Sequence, residues 1–220
     1  MLRKILNRYP ALKTVGRELL YRPSWYKDSH DELEQLFRWS DDPWNFESSQ
    51  YEQDRLQFLS EIVKRYSHET ILEVGCAEGV FTERLYGLSK QVVAIDVSPT
   101  ALARAKQRCP EVMFFQKSLQ EFSWTHKFDM VVCSETLYYI KDVAEAIDKL
   151  TSLGKYCMVS YVHRETKNLD PYFFQMPLVA YERFEKSYWL WNHAMSVAVW
   201  ENNGSPFYFK NLNGHGSNER

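Results

Sequence analysis

A chain of 220 residues with 45% apolar side chains can build one domain around a substantial core. Its formal charge of −2 conceals an asymmetry: residues 1–22 hold six basic side chains and one acid, so the rest of the chain is net acidic. An acidic body argues against a nucleic-acid binder, whose phosphate contacts need clustered Lys and Arg.

The four cysteines, Cys76, Cys109, Cys133 and Cys157, form no CxxC pair. A disulfide framework is not expected in so long and apolar a chain, which points to a reducing, cytoplasmic setting. The histidines are scattered without the paired spacing of a zinc site, so no metal is expected. No apolar run approaches the roughly 20 residues that span a bilayer. The basic N-terminus lacks the continuous apolar core and small-residue cleavage site of a leader peptide.

In chain order, residues 2–20 read as helical, with Pro10 dividing two short segments. Leu2, Ile5, Leu6 and Tyr9 form an apolar stripe between basic residues. Two readings stay open: an accessory helix packed on the domain, or a basic amphipathic segment resting on an anionic membrane surface. "SDDPWNFESSQ", residues 40–50, reads as a loop. Ser49 and Glu52 have the spacing of a capping box that opens a helix, and Leu56, Leu59, Ile62, Val63 and Tyr66 follow at helical spacing.

From residue 70 strands and helices alternate. "TILEVG" is a strand followed by a helix to about Tyr86, and "QVVAID" is a strand ending in an acid. "SPTALARAKQRC" is a helix with Ser98 as N-cap and Pro99 in its first position, stopped by Pro110. "EVMFFQ" and "KFDMVVCS" are strands. "DVAEAIDKLTSLG" is a helix with Asp142 and Glu145 in capping positions and Gly154 just past its end, and "KYCMVSYV" is a fifth strand. This alternation predicts a parallel sheet with helices on both faces. "LVAYERFE" and "MSVAVWE" read as a final hairpin-like pair, with a helix before or between them. The expected division is a helical extension over 1–40, a central domain over 41–202 and a polar tail over 203–220.

The chemistry concentrates in "ILEVGCAEGVFTERL", residues 71–85. Open parallel sheets bind ligands at the carboxyl ends of their strands, and Gly75 and Gly79 bare the backbone there. Asp96 ends the second strand, placed to accept both hydroxyls of a ribose. The GxGxxG order of a dinucleotide site is absent, which makes a dehydrogenase remote. Glu73 and Glu78 flank the turn, and carboxylates repel a pyrophosphate but tolerate a cation. A ribose acid, a glycine turn and nearby negative charge point to S-adenosyl-L-methionine, which is cationic and lacks phosphate.

Here the sequence resembles the class I S-adenosylmethionine-dependent methyltransferases. "EVGCAEG" is similar to their first motif, "AIDVS" to their second and "FDMVVCSETLYY" to their fourth, in order and correctly spaced over residues 40–162. "DPWNFESSQYEQDR" and "SETLYY" further resemble the nodulation-factor N-methyltransferases, which act on the amine of an amino sugar. The resemblance implies a Rossmann-like α/β fold, with a seven-stranded, mostly parallel sheet and an N-terminal helical lid. It implies a methyl transfer from S-adenosylmethionine, leaving S-adenosylhomocysteine, to an amine or hydroxyl of a small-molecule or saccharide acceptor.

Carried over residue by residue, Glu73 would orient the methionine amino group, while Gly75, Cys76 and Gly79 offer close backbone approach. Asp96 would hold the ribose and Val97 pack on the adenine. Ser118 and Leu119 would meet the adenine edge, although "QKSLQEF" departs from the family by placing Ser118 where an acid is common. The Ser134 backbone would face the methionine portion. Trp44, Phe46 and Tyr51 would form a lid that excludes water, with Arg55 one turn beyond Tyr51 pairing the methionine carboxylate. Glu135 would hold the acceptor and take its proton, with Tyr138 and Tyr139 lining the same pocket; His163 is a second candidate base. A macromolecule methyltransferase is disfavoured by the acidic body and the missing Asn-Pro-Pro-Tyr element. A non-catalytic cofactor-binding module stays open.

Overall fold

The computed structural model describes residues 30–162, 169–188 and 191–204. Helices α1 (His30–Trp39) and α2 (Gln50–Val63) precede β1 (Thr70–Val74), α3 (Val80–Tyr86), β2 (Gln91–Asp96), α4 (Pro99–Arg108) and β3 (Met113–Gln116). Then come β4 (Phe128–Ser134), a 3-10 turn (Leu137–Tyr139), α5 (Val143–Leu153) and β5 (Gly154–Val162). A short α6 (Asp170–Phe173) leads to β6 (Leu178–Tyr188) and β7 (Trp191–Glu201). The expected amphipathic segment over 2–20, His163 and most of the polar tail lie outside the described residues.

The seven strands run in the order β3-β2-β1-β4-β5-β7-β6, parallel except where β7 inserts antiparallel between β5 and β6. Alternation along each strand divides the interior in two. Leu72, Val93, Val131 and Val159 face Val143, Ile147 and Leu150 of α5. Their neighbours Ile71, Val92, Met130 and Met158 face Leu56, Leu59 and Ile62 of α2 and Phe81 and Leu85 of α3. With both faces covered, β1 and β4 carry consecutive buried apolar residues, Ile71 and Leu72 in one and Met130 to Cys133 in the other.

Capping residues start the helices where the sequence places them. Ser98 Oγ accepts from Ala101 N, with Pro99 next, and Asp142 accepts from Glu145 N. Two details correct the sequence reading. Ser49 caps α2 by accepting from Glu52 N, but Glu52 does not close the reciprocal half of the box. Its carboxylate takes Arg55 Nε at 2.7 Å, and the Ser49 N–H goes to Asn45 O instead. Gly154 does not adopt a left-handed cap after α5. It opens β5 in extended form, because a Cβ there would lie 2.6 Å from Val131 Cγ2.

Candidate functional site

The chain passes from β1 to β2 on one side of β1, and β4 lies on the other, so the sheet reverses its winding between β1 and β4. The crevice at such a reversal is where open α/β sheets take ligands. Its walls are the residues that follow β1, end β2 and follow β4.

The turn after β1 holds three left-handed residues in five, Gly75 (φ 77°), Ala77 (φ 47°) and Gly79 (φ 81°). For Ala77 this costs on the order of 1 kcal/mol. Asp96 offsets it: Oδ2 accepts the Ala77 N–H at 2.8 Å, and Oδ1 accepts the Ser98 N–H at 2.9 Å. The carboxylate keeps acceptor capacity for a ligand hydroxyl, and the residue is half-buried. Burial pushes its carboxyl above the ordinary range, while the three main-chain donors, Ser98, Ala77 and Val97, pull it back.

The glycines also make room within the protein. A Cβ on Gly75 would lie 2.2 Å from Thr136 Oγ1, and one on Gly79 would lie 3.1 Å from Ala105 Cα. Their missing side chains admit the loop after β4 and the flank of α4. The flanking acids are likewise turned inward. Glu73 is buried and accepts Thr82 Oγ1 at 2.5 Å; burial pushes it up to about 8, so it is largely neutral at pH 7. Glu78 is also buried and binds Arg104 Nη1 at 2.6 Å; burial pushes it up to about 7 despite that cation. The negative flank read from the sequence is therefore mostly neutralised by the protein itself.

Cys76 is buried, so only its main chain faces the crevice, and Val97 is half-buried beside Asp96. Ser118 forms its own small cap, in which Oγ donates to Glu121 Oε2 at 2.8 Å. Leu119 sends its side chain into the core with Phe122. Either could meet a base edge mainly through its backbone.

Beyond β4 the site is built of side chains. Glu135 sits in a left-handed conformation (φ 53°), its N–H bonded to Ser160 O at 3.0 Å. Its carboxylate accepts Ser160 Oγ on Oε1, and Tyr138 Oη and Val162 N on Oε2, each at 3.2 Å. Tyr138 and Tyr139 pack with ring centroids 4.6 Å apart. Ser134 Oγ meets Ser160 Oγ at 2.9 Å and accepts Arg55 Nη1 at 3.0 Å. Arg55, 3% exposed, is thus engaged by Glu52 and Ser134 from within the protein.

The expected lid divides. Trp44 stacks on Phe46 at 5.9 Å and meets Phe37 in a tilted pair at 5.0 Å, and the Arg55 guanidinium lies 5.9 Å from the Phe46 ring. Tyr51 instead turns into the core, 5.8 Å from Phe184 of β6. The strap carrying Trp44 and Phe46 is fastened by residues that the sequence did not single out. Glu34 of α1 accepts Ser98 Oγ at 2.6 Å and Thr100 Oγ1 at 2.5 Å, and these bonds with Arg38 lower its carboxyl to about 2 against burial. Arg104 donates to Phe37 O at 2.7 Å and Ser40 O at 2.9 Å, and Arg108 binds Glu47. These partners stand far apart in the chain, so no local pattern announces them.

Comparison with known proteins now bears on this geometry. A family model described as "Nodulation protein S (NodS)" matches residues 27–158. The chain belongs to the nodulation protein S family. Nodulation protein S of Bradyrhizobium diazoefficiens is 38% identical over 120 residues, covering 51% of this chain and 57% of the relative. A ubiquinone biosynthesis O-methyltransferase of Nitrosomonas europaea is 29% identical over 123 residues, covering 52% of each chain. The chain thus spans about half the length of the curated relatives it matches. Among solved structures, the N-methyltransferase NodS of Bradyrhizobium japonicum WM9, in complex with S-adenosylhomocysteine, superposes with a TM-score of 0.69 at 24% identity. That match covers 79% of this chain and 98% of the other, and it establishes the fold as that of the class I methyltransferases.

Proposed function

We propose that the protein moves a methyl group from S-adenosylmethionine to an amine of a small-molecule or saccharide acceptor. The observation that carries the reading is Asp96 at the tip of β2. It braces the left-handed turn after β1 while keeping lone pairs for a vicinal diol. The solved NodS structure with S-adenosylhomocysteine, a nucleoside bearing such a diol, supports it.

Asp96 would hold the ribose, Val97 one face of the base, and the main chain of Gly75, Cys76, Gly79 and Ser134 the amino-acid portion. Ser118 and Leu119 would offer main-chain groups to the base edge. Glu73 lies beneath the turn, in reach of the ligand's amine through water. Trp44 and Phe46 would exclude water, whereas Tyr51 would act by packing the base of the strap. When bound, S-adenosylmethionine supplies a methyl carbon activated by its sulfonium. Glu135 Oε would accept an N–H of the acceptor amine, aim its lone pair and take the proton displaced as the C–N bond forms and the C–S bond breaks. Tyr138 and Tyr139 offer an aromatic wall suited to the apolar face of a sugar ring.

The test is a panel of amino sugars, neutral sugars and small amines with methyl-labelled cofactor, read by mass spectrometry. Label on nitrogen supports the reading. Label on oxygen alone would move the protein toward its O-methyltransferase relatives, and label on no acceptor would leave a cofactor-binding module.

A further inference from the structure

Behind Glu135 runs a chain of side chains that the methyl-transfer reading leaves unused. A guanidinium has no acceptor, so Arg55 Nη1 must donate to Ser134 Oγ across their 3.0 Å contact. Ser160 directs its single proton to the Glu135 carboxylate, Oε1, at 3.2 Å, so across the 2.9 Å contact Ser134 Oγ donates to Ser160 Oγ. Every donor in this train points the same way, from the buried cation to the carboxylate. Val162 N and Tyr138 Oη add two more donors on Oε2.

We infer that Arg55, Ser134 and Ser160 are positioning residues, an aligned donor train that holds Glu135 as an unprotonated carboxylate aimed at the acceptor. The inference rests on the reading of Glu135 as the group that meets the acceptor. It also gives Arg55 a task besides pairing the methionine carboxylate, with Nε held by Glu52 and Nη1 donating to Ser134.

Several independent features agree. Arg55 and Glu135 attract one another, Glu52 fixes the guanidinium, and Ser160 is wholly buried where a loose hydroxyl would be costly. The Glu135 main chain is held in a conformation disfavoured for an acidic residue, and Ser160 O anchors it there. Titratable groups around Glu135 among the described residues include Arg55 from α2, Tyr138 from the 3-10 turn and Cys133 from its own strand. Of these, only Arg55 is a cation. Three donors and a nearby cation favour the charged form of the carboxylate.

The experiment follows the Glu135 titration by NMR of carboxyl-¹³C glutamate, with the resonance assigned by its loss in Glu135→Gln. Ser160→Ala should raise the midpoint by about one pH unit, and Ser160→Thr, which keeps the hydroxyl, should restore most of it. Ser134→Ala breaks the train one link earlier and should move it in the same direction. With a methylated acceptor in hand, kcat should fall in Ser160→Ala and recover in Ser160→Thr, and S-adenosylhomocysteine affinity should hold. An unmoved midpoint in both folded alanine variants overturns the inference. Should the midpoint shift while no acceptor is ever methylated, the donor train stands and the methyl-transfer reading falls. Methylation at an undiminished rate in Ser160→Ala would leave the reading and remove the train.

Discussion

The two halves of the crevice are built from different materials. At the tips of β1 and β2 the working surface is main chain: a left-handed turn held by one carboxylate, its neighbouring acids buried and neutralised. At the tips of β4 and β5 it is side chain: Glu135 wired through two hydroxyls to an arginine on a separate helix. A backbone surface offers shape and donors that do not change with pH. A wired carboxylate offers charge that can be tuned. The first suits holding an unchanging cofactor, and the second suits managing an acceptor and its proton.

Gly75→Ala should break this contrast most severely. Its Cβ meets Thr136 Oγ1 at 2.2 Å, and the residue must keep a positive φ. The expected loss is about 3 kcal/mol in urea unfolding, with nucleoside binding lost as well. Adding Thr136→Gly should recover the steric part but not the conformational part. Recovery of the whole loss would mean that the left-handed backbone is cheap there.

Glu135→Gln tests the other half. Turnover should fall roughly 10²-fold, within the range for a positioned proton acceptor, while S-adenosylhomocysteine affinity holds. A drop in affinity as large as the drop in rate would erase the division between the halves.

The strap comes next. Arg104→Met removes the donors to Phe37 O and Ser40 O and leaves Glu78 buried without its cation. A loss of about 2 kcal/mol is expected, together with faster amide exchange in α1. Unchanged exchange would show that Glu34 alone fastens the helix.

A further effect is a slope. Glu73 rises from 4.5 to about 8 on folding, so between those values the unfolded chain has lost a proton that the folded chain keeps. Stability therefore falls as pH rises through that window, and Glu78, raised to about 7, adds to the same trend. Glu73→Gln should flatten the slope between urea midpoints at pH 5 and pH 8. An unaltered slope would mean that Glu73 is already ionised in the fold.

What could be read before folding follows the same division. The alternation of strands and helices, the caps at Ser98 and Asp142 and the turn from Gly75 to Gly79 depend on neighbours within a few residues, so their signal is local. Even there the meaning of the glycines was hidden, because the atoms they admit belong to Thr136 and Ala105, distant in sequence. Glu135 stood out by its place after β4, but Ser160 did not. A serine in an apolar strand carries no mark until β4 and β5 pair and Ser134 falls opposite it. Arg55 was singled out for lying one helical turn beyond Tyr51, yet its partner Ser134 becomes visible only once α2 packs on the sheet. The strap was least accessible, since Glu34, Arg104 and Arg108 look like ordinary helix-surface charges.

One titration bears most directly on the whole account: calorimetry of S-adenosylhomocysteine into the intact protein and into Asp96→Ala. The intact protein should bind, and the variant should bind about ten- to a hundred-fold more weakly, the worth of hydrogen bonds to a charged group. Equal affinity in the two proteins, or no binding to the intact one, would contradict the placement of the nucleoside at the tips of β1 and β2.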